Sequence, residues 1–149
     1  YPARMNYSHY MTYPVHRSKE AFASFIGEVE KIVEVAPEGS ELCGPDHIGE
    51  PVINNSLLII GSKVNEDPFS FLKIFVDEPW PSHRYPILTV RTNKLPYDSV
   101  ICACLLAFRN HFPSSTITTD GTAKDWERAV ALYEYATERL APRVDFQNK

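Results

Sequence analysis

The chain has little clustered charge and no long apolar run. Its apolar runs, around residues 57–60 and 100–108, fall well short of the roughly 20 residues that a membrane helix needs, so no membrane span is expected. Basic residues number 15 against 19 acidic, both signs are interspersed, and no basic run exceeds the pair His16-Arg17. Neutralising many phosphates requires grouped Lys and Arg, so no nucleic-acid partner is expected either. From Tyr1 onward no basic segment precedes an apolar stretch, and a cytoplasmic location is the expectation. Cysteine is scarce and odd in number: Cys43, Cys102 and Cys104 read as reduced thiols. Cys102 and Cys104 are two apart in a helical stretch and face nearly opposite ways. They cannot chelate one metal together, and both read as core filler.

No Gly-x-Ser-x-Gly elbow, Walker loop or Gly-x-Gly-x-x-Gly run occurs, which removes the usual signatures of several enzyme classes. No metal and no cofactor are expected. None of the five histidines forms an i,i+4 pair, and only Cys43-Gly-Pro-Asp-His47 brings a histidine near a cysteine, in a segment better read as a surface loop. His111 falls at the end of a helix, where it meets the dipole. His83 and Trp80 lie in a proline-broken connection.

Proline, by contrast, is abundant, with 12 residues that fall between periodic segments and mark their ends. At 149 residues with 44% hydrophobic content, one domain spanning 1–149 is expected. Residues 1–17 show no trusted period and read as an N-terminal arm or an edge strand. From Ser18, the apolar residues Phe22, Phe25, Ile26, Val29, Ile32 and Val33 recur at helical spacing, with Glu20, Glu28, Glu30, Lys31 and Glu34 on the other face. Ser18 is the expected N-cap and Pro37 the stop. Residues 37–51 hold three glycines and three prolines and read as a long loop with at most one helical turn.

Strands are predicted over 52–62, 69–76 and 87–92, the first two joined by a turn at Asn65-Glu-Asp-Pro68 and the second central because both its faces are apolar. A helix buried on more than one side follows over 96–112, then a short strand over 115–119. The last helix, 123–140, places Trp126, Ala129, Val130, Tyr133, Ala136 and Leu140 on one stripe, with Thr122 and Asp125 as a variant capping box. The order predicts an α+β fold with about three helices and a mixed β-sheet, an antiparallel meander plus one β-α-β crossover, in a two- or three-layer sandwich.

If the third and fourth strands run parallel, their carboxyl ends share one edge of the sheet, where open α/β sheets bind ligands. The two loops there gather Asn93, Lys94, Asp98, Asp120, Gly121 and Asp125 as ligand-binding candidates. Carboxylates and a lysine in one place suit a divalent cation or acid-base work. The same acids also suit helix N-termini and ordinary turns, and that reading has the greater weight.

At Lys94-Leu-Pro-Tyr-Asp-Ser-Val100, Thr119-Asp-Gly-Thr-Ala-Lys-Asp-Trp126 and Ala131-Leu-Tyr133, the sequence resembles an uncharacterised family of small bacteriophage and prophage proteins. The resemblance covers about the second half of the chain, with the family's hairpin stretch represented loosely by Asn55 and Phe69. It implies a mobile-element origin and transfers no catalytic residue.

The leading functional expectation is a non-catalytic accessory protein that binds a protein partner or a small ligand, with Tyr7, Tyr10, Tyr13 and Trp80 as candidate interface aromatics. The alternative is a small metal-assisted hydrolase acting on a phosphorylated or nucleotide substrate through Asp98, Asp120, Asp125 and Lys94. A homo-oligomer paired through an edge strand is the third.

Overall fold

The computed structural model describes residues 6–13, 18–55, 57–63, 69–72 and 87–146. The predicted turn at 65–68, the second half of the central strand, and the connection bearing Trp80 and His83 lie outside them. Three α-helices and two separate sheets build the described fold, so the α+β class is what the structure shows.

The first sheet has the order β6-β1-β7-β8, from Ile87–Arg91 (β6), Ser8–Thr12 (β1), Thr116–Thr119 (β7) and Asp145–Phe146 (β8). β1 is antiparallel to both neighbours, in register Ser8↔Arg91 to Thr12↔Ile87 on one side and His9↔Thr119 to Thr12↔Thr116 on the other, while β8 runs parallel to β7. The expected edge segment is therefore an interior strand. β6 and β7 do run in the same direction, but β1 separates them, so the crossover spans two strand positions instead of one.

The second sheet is formed by Leu42–Cys43 (β2), Val52–Ile53 (β3), Leu57–Ser62 (β4) and Phe69–Leu72 (β5). β4 and β5 pair antiparallel as expected, Leu57↔Leu72 to Ile60↔Phe69. Among the described residues the meander stops there, because β6 pairs with β1. The predicted single strand over 52–62 is broken into a hairpin. Asn54 takes the Leu57 amide on its side-chain oxygen at 2.9 Å and donates its own amide to the Leu57 carbonyl at 3.1 Å, which is the turn chemistry of asparagine. The loop 37–51 is also more ordered than predicted: β2 pairs with Ser62 and Gly61, and Pro45–His47 makes a 3-10 turn. Gly44 permits it, since a Cβ there would lie 2.4 Å from the Glu50 carbonyl oxygen.

The helices are Lys19–Glu34 (α1), Asp98–His111 (α2) and Glu127–Thr137 (α3), the last preceded by a 3-10 turn at Lys124–Trp126. Ser18 caps α1 by accepting the Ala21 amide at 3.2 Å. α2 buries nine consecutive residues, Val100 to Phe108, because it packs against both α1 and α3 as well as β7. α3 ends earlier than predicted, at a left-handed Glu138 (φ 58°), which leaves Leu140 84% exposed instead of on the buried stripe. The capping box forms reciprocally: the Thr122 amide donates to Asp125 Oδ2 at 2.9 Å and the Asp125 amide to Thr122 Oγ1 at 3.3 Å.

Glu28 is buried, contrary to its expected place on the solvent face, and it ties the three helices together. Its Oε1 accepts the Tyr133 hydroxyl at 2.9 Å and lies 3.0 Å from His111 Nε2, and its Oε2 accepts Arg139 Nη1 at 3.2 Å. Burial pushes the Glu28 carboxyl up, yet the bonds from His111 and Tyr133 and the charge of Arg139 hold it below its ordinary value of 4.5. A carboxylate lowered on folding stabilises the fold fully above its unfolded pKa, and the contribution disappears as pH falls through the lower folded value. Glu28→Gln is therefore expected to cost about 1–3 kcal/mol at neutral pH. In thermal melts from pH 7 to pH 3, the gap between wild type and variant should close only below about 4.5.

Candidate functional site

The carboxyl ends of β6 and β7 flank the start of β1, and all six candidate residues surround that point. Asn93 Oδ1 accepts the Tyr7 amide at 3.3 Å, and the Tyr7 carbonyl accepts the amides of Thr92 and Asn93, both at 3.2 Å. Across the strand, Asp120 Oδ2 accepts the Ser8 amide at 2.9 Å and its own amide donates to the Ser8 carbonyl at 3.1 Å. Asn93 and Lys94 reach this arrangement with left-handed backbones, φ 52° and 56°. Lys94 Nζ lies 3.5 Å from Asp125 Oδ1 and 4.9 Å above the centre of the Tyr7 ring. The backbone bond from Thr122, ahead of the charge of Lys94, holds the Asp125 carboxyl below the usual carboxylate range. Gly121 is required where it stands, because a Cβ would fall 2.2 Å from the Tyr7 hydroxyl.

Five of the six candidates are thus engaged locally, four through side chains and Gly121 through its amide to Thr119 Oγ1, and they close the start of β1 instead of opening a cleft. Asp98 is the exception. It turns inward from the first turn of α2, its side chain 15% exposed, and meets a histidine that sequence reasoning did not select. His9 projects from β1 and is fully buried, with Nε2 2.7 Å from Asp98 Oδ1 and 3.2 Å from Cys102 Sγ, and Nδ1 2.8 Å from Thr119 Oγ1. The Thr92 hydroxyl donates to the same Asp98 oxygen, and Cys102 Sγ lies 3.9 Å from the other. Tyr7 and Trp126 stand edge-on to the His9 ring at centroid distances of 5.1 Å.

Thr119 Oγ1 accepts Gly121 N–H at 3.0 Å and Trp126 Nε1–H at 3.1 Å, and it also meets His9 Nδ1 and the Tyr7 hydroxyl. With the Thr119 hydroxyl donating to His9 Nδ1, the imidazole donates from Nε2 to Asp98. The direction of these bonds, hydroxyl to imidazole to carboxylate, is that of a nucleophile, its base and an orienting acid. Thr119 is 1% exposed with both lone pairs occupied, so it offers no reachable nucleophile. Burial, followed by the Asp98 charge, raises the Cys102 thiol well above its ordinary range, the reverse of what a nucleophilic cysteine needs.

Cys102 therefore corrects the reading of both cysteines as filler: Cys104 is buried without a polar partner in this cluster, while Cys102 joins it. His9 Nε2 or Nδ1, an Asp98 oxygen and Cys102 Sγ lie within 4.8 Å of one another, a set of three different metal-donor types. Tyr7 is buried beside this set, its hydroxyl against Thr119. Tyr7 is accordingly not an exposed interface aromatic, and Tyr10 and Tyr13 are only partly exposed.

At the other end of β7 a groove of about 320 Å³ lies between the C-terminal turn of α2 and the chain entering β8. Arg109, Thr116, Ile117, Arg143, Val144 and Asp145 line it. Arg109 Nη1 donates to the Pro113 carbonyl at 2.7 Å, which fixes the guanidinium at the rim. Arg143 is exposed and makes no bond to another described residue.

No protein-family model, curated protein or solved structure matches this chain. In Asp120→Ala the Ser8 amide loses its acceptor, and a loss of about 1–3 kcal/mol is expected in denaturant unfolding. Gly121→Ala is expected to cost a similar amount by displacing Tyr7.

Proposed function

We propose that the chain is a non-catalytic binding protein whose ligand is a small anion bearing a carboxylate or phosphate group. The observation that carries this reading is the groove with two guanidinium groups, one held at the rim by Pro113 and one without a partner among the described residues. Arginine presents a planar fork of donors that matches both oxyanions in bidentate fashion. A groove of this volume lies in the size range of small-molecule sites. Asp145 on the same wall favours a ligand that also carries a hydroxyl or amine donor.

The reading is further supported by the use the fold makes of the polar loops. Asp120 and Asp125 hold backbone amides and Lys94 pairs with Asp125, which leaves few free groups for turnover at the strand ends. The resemblance to bacteriophage proteins suits an accessory role of this kind. The alternative, a metal-assisted hydrolase, is favoured by one feature, the grouping of His9, Asp98 and Cys102; in that form Asp98 would act, and Asp120 and Asp125 would not.

The test is a thermal-shift and calorimetric screen of wild type against di- and tricarboxylates in one arm and phosphate esters in the other. A stabilising ligand from one arm is expected, with Arg143→Ala weakening it at least tenfold, about 1.4 kcal/mol. Arg143→Ala should leave the melting temperature without ligand nearly unchanged, since the side chain is exposed. Equal binding by wild type and variant, or no ligand in either arm, would overturn the reading.

A further inference from the structure

We propose that His9, Asp98 and Cys102 form a buried three-donor site for Zn²⁺ or a similar borderline divalent ion, with the fourth position open on the partly exposed side of Asp98. The donors are an imidazole nitrogen, a carboxylate oxygen and a thiol sulfur, the mixture that zinc accepts and that harder ions such as Mg²⁺ do not. Nε2 is already 2.7 Å from Asp98 Oδ1 and 3.2 Å from Cys102 Sγ. In a tetrahedral site with bonds of about 2.0–2.3 Å these pairs stand roughly 3.3–3.6 Å apart, so the donors need to spread by only about half an ångström.

Charge supplies the second argument. Buried charges are ordinarily paired with an opposite charge or bound to a metal. Asp98 is 15% exposed, and its partners are the His9 imidazole, the Thr92 hydroxyl and the Cys102 thiol, with no lysine or arginine at ion-pair distance among the described residues.

Binding exchanges protons for the ion. The Cys102 thiol loses its proton to solvent, and the His9 proton moves from Nε2 to Nδ1, leaving the Nε2 lone pair for the metal. One carboxylate, one thiolate and one dication then sum to zero net charge. Thr119 Oγ1 accepts from Nδ1–H, as the outer partner of a metal-bound histidine commonly does, and gives up one of its present donors.

The experiment titrates the metal-free, reduced chain with Co²⁺ and Zn²⁺. One equivalent of Co²⁺ is expected to produce a near-ultraviolet thiolate-to-cobalt absorption that Zn²⁺ removes. Cys43→Ser and Cys104→Ser should keep that absorption, while Cys102→Ser should lose it and bind at least about 100-fold more weakly. Should Cys102→Ser fail to fold, X-ray absorption of the zinc-loaded wild type decides, one sulfur with two or three nitrogen or oxygen neighbours being expected. No thiolate absorption in folded wild type, its persistence in Cys102→Ser, or a zinc shell without sulfur would overturn the proposal. Because the arginine groove takes no part, its failure to bind an anion would leave this result unaffected.

Discussion

The double pairing of β1 is the constraint on which the rest of the architecture depends. β6 and β7 do not pair with each other, so the five residues of β1 are what unite a strand from each end of the α2 crossover into one sheet. The ends of that strand are secured as well as its middle, through Asn93 on one flank and Asp120 on the other. These contacts join residues about 80 to 110 positions apart, so this sheet closes only after most of the chain is present. Pairing of that kind carries a large loop-closure cost and is characteristic of slower folding.

Alternation along β1 explains how a polar cluster comes to lie in the core. His9 and Met11 share a face and are both buried to within 1%, so His9 occupies a position that an apolar residue would normally fill. An imidazole there costs several kcal/mol unless both ring nitrogens are bonded. Thr119 and Asp98 supply those bonds, and they arrive from the two elements, β7 and α2, that the strand pairing brings beside it. Strand register and polar network are thus mutually dependent, since a one-residue slip of β1 would turn His9 to the opposite face and leave Thr119, Asp98 and Cys102 facing one another without it.

Helical periodicity was readable from single segments, which is why α1, α2 and the start of α3 lie where their apolar spacing and caps place them. Glu28 shows what such reading overlooks even when the signal is present. It falls three residues after Phe25 and four before Ile32, on the buried stripe, and only its charge argues for the outward face. The convergence of the 93 and 120 loops was also legible, because it follows from parallel β6 and β7 whether or not a strand intervenes. The role of β1 was not legible, since its partners are remote and its tyrosines blur the alternation. His9 and Cys102, 93 positions apart, become neighbours only once that strand is inserted. A local trace of the site did exist, in the i,i+4 spacing that puts Asp98 and Cys102 on one face of α2.

The two buried carboxylates show why one cluster reads as structural and the other as a site. Glu28 has Arg139 and His111 at ion-pair distance and a tyrosine donor besides, and these partners outweigh the cost of burial enough to hold its carboxyl below the ordinary value. Its charge is balanced within the described fold. Asp98 has as many contacts, but none of them comes from a lysine or arginine among the described residues. Hydrogen bonds satisfy the lone pairs of a carboxylate without cancelling its charge, and in a region of low dielectric that remaining charge attracts a cation strongly. The asymmetry arises from chain connectivity: Glu28 lies where helix C-termini bring Arg139 and His111, whereas Asp98 opens a helix, and Lys94, four residues before it, pairs with Asp125.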